Sequence, residues 1–273
     1  MKNFKDRDFL IENPDLIVLD VRYSMSDAEY GKKSYAASHY KGAHFLDMDQ
    51  DLADVVGTHG GRHPLPDMKL FEEKLRSIGL ENHSRVLIYD DGDNSSAGRL
   101  WWMLKYYGLS QVYVLQGGFK MLLPEDLTSD SSETKRGNIT LTAQPDMTAP
   151  IEEITDYAEN GSVSGKLLID SRSKERYQGL VEPVDHKKGH IPHALNIFFK
   201  DHFKEDQTFD LEKAKKNFHE ILHVDDVIFH CGSGVTACTN IMALDELGKK
   251  SRLYVGSFSD YISYEDNVVE RDV

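Results

Sequence analysis

The chain has 273 residues, 40% hydrophobic and 29% charged, which is enough to bury a core and more than one ordinary domain of about 100–150 residues needs. A formal net charge of -14 opposes attraction to phosphate backbones, so nucleic acid is not an expected partner, while a local basic pocket for a small anion is compatible with it. No run reaches the roughly 18–20 apolar residues of a membrane span, the start Met1-Lys2-Asn3-Phe4 lacks a secretory apolar stretch, and two cysteines suit a reducing compartment, so the expected address is the cytoplasm, with no membrane partner.

Taken in chain order, the first strong signal is the apolar run Leu16-Ile17-Val18-Leu19, a buried strand that ends in Asp20-Val21-Arg22. Lys41-Gly42-Ala43 follows about twenty residues on. A second strand, Val86-Leu87-Ile88-Tyr89, runs into Asp90-Asp91-Gly92, then a helix from Ala97 to Tyr107, then a strand Val112-Tyr113-Val114-Leu115 ending at Gly117-Gly118. From Glu125 to Pro150 the sequence is rich in Ser, Thr, Asp and Pro without a sustained apolar period, the composition of a linker.

The order of signals then repeats. Leu167-Leu168-Ile169 leads into Asp170-Ser171-Arg172, Gly189-His190-Ile191 follows, and Val227-Ile228-Phe229 runs into His230-Cys231-Gly232. A helix from Thr236 to Leu247 and a strand Arg252-Leu253-Tyr254-Val255 ending at Gly256 complete the second half. In this alignment Asp91 takes the place of Cys231. The expected organisation is a duplication: residues 1–125, a linker over 126–148, and residues 149–273. Strands alternating with helices predict an α/β fold, each half a mainly parallel sheet flanked by helices.

In open parallel sheets, chemistry gathers beyond the carboxyl ends of strands. Cys231 is placed there, directly after a strand, and Gly232-Ser233-Gly234-Val235-Thr236 can curl so that backbone amides and the positive end of the next helix face one sulfur or anion. Such a setting favours a thiolate and suits a persulfide anion. A free cysteine can equally be a small buried hydrophobe. A cysteine phosphatase needs an arginine at the far end of such a loop, where this chain has Ala237, and no Arg or Lys occurs from Cys231 until Lys249.

Other candidates carry weaker chemistry. Cys238, about two helical turns further on, is expected in the core. His230 is a strand residue adjacent to the nucleophile and should point away from it. Asp20, Arg22, Asp170 and Arg172 read as loop-fixing ion pairs, and Trp101 and Trp102 as packing. The histidines offer no His-x-x-x-His pair with a third ligand at suitable spacing, and the cysteines form no CxxC, so no metal and no other cofactor is called for.

Asp-x-Arg twice, Glu175-Arg176-Tyr177-Gln178-Gly179, Glu182-Pro183, Gly189-His190-Ile191-Pro192, Gly61-Arg62-His63-Pro64-Leu65-Pro66 and Cys231-Gly232-Ser233-Gly234-Val235-Thr236-Ala237 together resemble tandem-domain rhodaneses, over about Pro14 to Ser259. The Cys-Gly-Ser-Gly-Val form is most similar to the 3-mercaptopyruvate sulfurtransferase branch. The resemblance implies two rhodanese-like domains, the first without a nucleophile and acting as support, the second catalytic. It puts a persulfide on Cys231, makes Arg176 the binder of the donor's carboxylate or sulfonate, and gives Ser233 a polarising or proton-relaying role assisted by His63 and Asp49 of the first half, which also contributes Arg62. Gly232, Gly234, Val235 and Thr236 would form the loop around the donor, in a site between the domains.

The resemblance also implies a small anionic sulfur donor, mercaptopyruvate or thiosulfate, and a thiol, thioredoxin or cyanide as acceptor. A rival reading is a persulfide carrier or redox-sensing binding protein with no small-donor turnover. Animal-type members of that branch carry a second substrate arginine shortly after Glu-Pro, but here the segment reads Pro183-Val184-Asp185-His186-Lys187-Lys188. His186 or Lys187 is the candidate to stand in for it.

Overall fold

The computed structural model describes residues 1–132, 134–162 and 165–272. It divides into two compact units that are not contiguous in sequence: Met1–Asp54 with Leu65–Gln144 and Lys204–Phe209, and Val55–Pro64 with Pro145–Phe203 and Asp210–Val273. Most of the segment with linker composition, through Gln144, therefore lies in the first unit, while Val55–Pro64, from the first half of the sequence, lies in the second.

The first unit contains strands β1 (Phe4–Lys5), β2 (Ile17–Asp20), β3 (His39–Tyr40), β4 (His44–Phe45), β5 (Val86–Tyr89), β6 (Val112–Leu115) and β7 (Leu127–Thr128), with helices α1 (Arg7–Glu12), α2 (Tyr30–Ala37), α3 (Met68–Ser77) and α4 (Ser95–Tyr106). Its main sheet has the order β1-β6-β5-β2-β4, parallel throughout, and β3 pairs antiparallel with β7. The central strands are short and almost wholly apolar because both faces are covered, so Val86, Leu87, Ile88 and Tyr89 are all buried. Helix α4 is buried along most of its length, Trp101 and Trp102 included, which is the packing role expected of them.

The second unit repeats this plan with β8 (Lys166–Asp170), β9 (Leu195–Asn196), β10 (Asp226–His230) and β11 (Arg252–Leu253), and with α5 (Ile151–Asn160), α6 (Lys174–Tyr177), α7 (Leu211–Asn217), α8 (Thr236–Glu246) and α9 (Ser257–Tyr261). Its sheet order is β11-β10-β8-β9, again all parallel. Ile154 and Tyr157 of α5 pack with Leu168, Ile228, Tyr254, Phe258 and Tyr261 as one core cluster. Each unit is thus the predicted α/β layer arrangement.

The register between repeats corrects one reading. Asp20 pairs with Tyr89 and Asp170 pairs with His230. Phe119 N donates to Asp90 O at 2.8 Å, as Phe258 N donates to Cys231 O at 3.0 Å. The residue in the place of Cys231 is therefore Asp90, one position before the one that sequence alignment selected. Two adjacent aspartates follow the strand, and the strand pairing selects the first of them.

Candidate active site

The Asp-x-Arg pairs build the floor of each loop. Arg172 reaches back to Asp170 with Nη2 at 2.6 Å from Oδ2, donates to Gly189 O at 2.7 Å, and lies 3.9 Å from the Phe258 ring centroid. Arg22 does the same with Asp20 at 2.6 Å, Ser38 O at 2.7 Å and the Phe119 ring at 4.0 Å. These four residues are buried and hold loops in place, the structural role expected of them.

Strand β10 delivers Cys231 to the carboxyl end of its sheet, and the chain turns at once. Cys231 N donates to Ser257 Oγ at 3.1 Å, and Gly232 O accepts from Ser259 N at 2.9 Å, so the start of the turn is tied to α9. Gly234 then adopts φ 76°, a left-handed conformation that glycine takes without a Cβ penalty, and its N–H points at Cys231 Sγ at 3.2 Å. Val235 leads directly into α8, which begins at Thr236. The thiol thus sits inside the curl, almost fully covered, with an amide donor aimed at it and a helix start beyond.

Ser233 is part of the same curl. Its Oγ lies 2.8 Å from His63 Nδ1. Segment Val55–Pro64 brings His63 into the unit through its own anchors: Gly60 N donates to Asp260 Oδ1 at 2.7 Å and Arg62 N to Ser259 Oγ at 3.1 Å. Asp49 belongs to the other unit, where its carboxylate accepts from Tyr23 OH at 3.3 Å, and burial together with Asp47 pushes its carboxyl above the usual carboxylate range.

Arg176, on the single turn α6, is held by two carboxylates. It donates to Glu182 Oε2 from Nε at 3.1 Å and to Oε1 from Nη2 at 2.7 Å, and Nη2 is also 3.1 Å from Asp185 Oδ2. Against the cost of burial, Arg176 and the amides of Val184 and Asp185 hold the Glu182 carboxyl below its ordinary range. The other oxygen of Asp185 accepts from Arg62. His186 is exposed, and Lys187 Nζ is engaged by the carbonyls of Glu265 and Asn267 at 3.5 and 3.4 Å.

The remaining candidates fall away from the sulfur. Cys238 is buried in α8 and its thiol donates to Gly234 O at 3.3 Å. His230 is buried, with Nδ1 3.2 Å from Cys231 O and Nε2 3.9 Å from Asp170 Oδ2.

Comparison with known proteins gives the family. The family model described as a rhodanese-like domain matches residues 7–122 and again 151–264. The chain belongs to the rhodanese-like family. It is 39% identical, over 93% of its length and 91% of the relative's, to a probable 3-mercaptopyruvate sulfurtransferase of Pseudomonas aeruginosa. It is 32% identical to a putative thiosulfate sulfurtransferase of Mycobacterium tuberculosis, over 90% of this chain and 87% of that one. Among solved structures, the 3-mercaptopyruvate sulfurtransferase from Leishmania major superimposes with a TM-score of 0.82 at 30% identity, covering 95% of this chain and 74% of that one. The 3-mercaptopyruvate sulfurtransferase of Escherichia coli superimposes with a TM-score of 0.81 at 27% identity, covering 95% and 100%. The chain is accordingly a sulfurtransferase with two rhodanese-like domains, each an α/β parallel sheet flanked by helices.

Sequence reasoning overlooked one feature of this site and left another without a role. Ser257 Oγ, which accepts from Cys231 N, sits at φ 55° in a turn that no motif marks. Arg62, expected as a contribution of the first half but given no role of its own, has its guanidinium over the Cys231 loop: a Cβ built on Gly232 would lie 2.9 Å from Arg62 Nη2 and 3.4 Å from Arg176 Nη2.

Proposed function

We propose that Cys231 carries a sulfane sulfur taken from a small anionic donor, with 3-mercaptopyruvate preferred over thiosulfate, and passes it to a thiol such as thioredoxin, or to cyanide. The observation that carries this reading is the loop itself: a buried Cys231 with a backbone N–H on its sulfur, Ser233 paired to His63, and guanidinium groups over Gly232.

In the first half-reaction the Cys231 thiolate attacks the sulfur of mercaptopyruvate. An S–S bond forms and the C–S bond breaks; the carbon takes the bonding pair and a proton, and leaves as pyruvate. The proton supplied to that carbon is the one the donor's thiol gives up, relayed by Ser233 Oγ and His63. Cys231 keeps the outer sulfur as a persulfide anion, which the Gly234 amide and the start of α8 stabilise. In the second half-reaction an acceptor thiol takes that sulfur, becoming a hydropersulfide, and the Cys231 thiolate returns.

Gly232, Gly234, Val235 and Thr236 shape the loop that receives the donor, and Arg176 meets its anionic end. The absence of charged side chains between Gly232 and Thr236 favours a keto-acid donor over thiosulfate. The residue pattern and the reduced cysteines favour work in the cytoplasm.

Steady-state transfer to cyanide by the whole chain, with mercaptopyruvate and with thiosulfate, tests the reading. Ping-pong kinetics, a mass gain of about 32 Da for one sulfur on Cys231 and loss of both in Cys231→Ser are expected. Retention of transfer by Cys231→Ser sinks the mechanism, and activity with neither donor favours the carrier.

A further inference from the structure

Beyond the Arg176 assignment, we propose that Arg62 is the second anion-binding guanidinium of the donor site and that Asp185 is the positioning residue that sets its distance from Arg176. The proposal rests on the reading of Cys231 as the reactive sulfur and deepens it. At the segment where a second arginine was sought, the chain has Asp185, a carboxylate. That carboxylate bridges the two guanidiniums, one oxygen accepting from Arg62 Nη1 and the other 3.1 Å from Arg176 Nη2. An arginine missing from this segment is thus answered by an arginine from another, held by a carboxylate of the segment itself.

Two observations separate this from an ordinary ion pair. The carboxylates lie behind and the cations in front: the side chains of Asp185 and Glu182 are 2% and 0% exposed, those of Arg62 and Arg176 28% and 21%. The free edges of both guanidiniums are therefore available to a further anion. The second observation is Gly232. Its φ lies outside the left-handed range, so its backbone does not demand glycine, yet a Cβ there would meet Arg62 Nη2 at 2.9 Å and Arg176 Nη2 and Nη1 at 3.4 and 3.7 Å. The residue beside the nucleophile is bare because two guanidiniums approach it. A planar carboxylate gripped by both would sit next to Cys231, with the rest of a short donor reaching the sulfur. Guanidinium suits this better than ammonium because its paired N–H groups match two carboxylate oxygens.

The test alkylates Cys231 in the whole protein with iodoacetate and with iodoacetamide, which differ only in the anion; the thiolate displaces iodide from carbon in both cases. Peptide mass spectrometry distinguishes Cys231 from Cys238. Wild type should react faster with iodoacetate relative to iodoacetamide than a free thiol does, and pyruvate should protect it. In Arg62→Gln that ratio should fall about 10-fold, as loss of a charge-assisted hydrogen bond implies. Arg62→Lys should recover only part of it, and Asp185→Asn should lower it by loosening the pair. In turnover with mercaptopyruvate, Arg62→Gln should raise KM about 10-fold while kcat changes less than about threefold.

A ratio in Arg62→Gln within twofold of wild type overturns the proposal, as does a wild type without iodoacetate preference. If Arg62→Gln fails to fold, Arg62→Lys carries the same test. Because alkylation does not require sulfur transfer, a wild type that turns over neither donor but shows the Arg62-dependent preference refutes the donor assignment and leaves the anion site standing.

Discussion

The two loops that follow β5 and β10 have the same strand register and the same Asp-x-Arg floor, yet one is filled from within and the other is left open. In the first unit Asp90 turns its carboxylate into the loop, accepting from Gly92 N at 2.7 Å, Asn94 N at 3.3 Å and Ala97 N at 3.1 Å. Asn94 at φ 60° completes the turn. Burial and the charge of Asp93 push the Asp90 carboxyl up to about 7 in spite of those amides. In the second unit the same position holds a smaller, softer Cys231 with one amide donor at its sulfur. A cradle of amides is a general anion site; the side chain at a single position decides whether it is occupied by the protein or offered to a substrate.

The comparison can be broken most severely at that position. Cys231→Ser should lower sulfur transfer by at least about 1,000-fold, and adding Asp90→Cys to it should restore nothing, because the first loop has Gly92 and Asp93 where the second has Ser233 and Gly234. A measurable rate of thiocyanate production by the double variant would show that the cradle alone suffices.

Next in size are the two floors. Arg172 neutralises both Asp170 and Glu182, whereas Arg22 pairs with Asp20. Removing one partner of a buried pair costs about 3–5 kcal/mol, so Arg172→Met should destabilise by that amount and more than Arg22→Met does. Urea unfolding followed by probes in each unit checks the order.

Acid should then separate the units. His202 is buried neutral, with Nε2 2.8 Å from Asn240 Oδ1, and burial lowers it from 6.5 to about 4. Its folded state binds fewer protons than the unfolded one between those values, so stability is full above about pH 6.5 and falls by about 3 kcal/mol as pH drops to 4. Asp90 has the opposite sign: raised in the folded state, it contributes stability at low pH that is lost as pH rises through about 7. Hydrogen exchange from peptides of each unit, corrected for the intrinsic pH effect, should show the second unit weakening and the first strengthening on acidification, and His202→Leu should flatten the second.

The smallest effect concerns the pair that only the second loop has. His63→Ala should reduce kcat by about 10- to 100-fold and alter its pH profile, while leaving one-sulfur loading of Cys231 detectable by mass. An unchanged pH profile would assign His63 to packing.

The sequence by itself determined the duplication, the alternating parallel architecture, the Asp-x-Arg floors and the place of Cys231 at the end of a strand. Each is written locally, as an apolar run, a charged turn or a glycine loop within a few residues of one strand, and local sterics and hydrogen bonding translate it directly. Arg176 became a candidate for the same reason, being next to a recognisable segment.

Other features were decided only by tertiary structure. Strand pairing moved the counterpart of Cys231 from Asp91 to Asp90. Chain crossing put Val55–Pro64 into the second unit and so brought His63 to Ser233 and Arg62 to Asp185. The partner of Asp185 is an arginine 123 positions away in sequence, which no local pattern could pair with it. The physical reason is that an anion site is a matter of where charges converge in space, and long side chains from distant segments can converge wherever buried carboxylates and a bare glycine leave room for them.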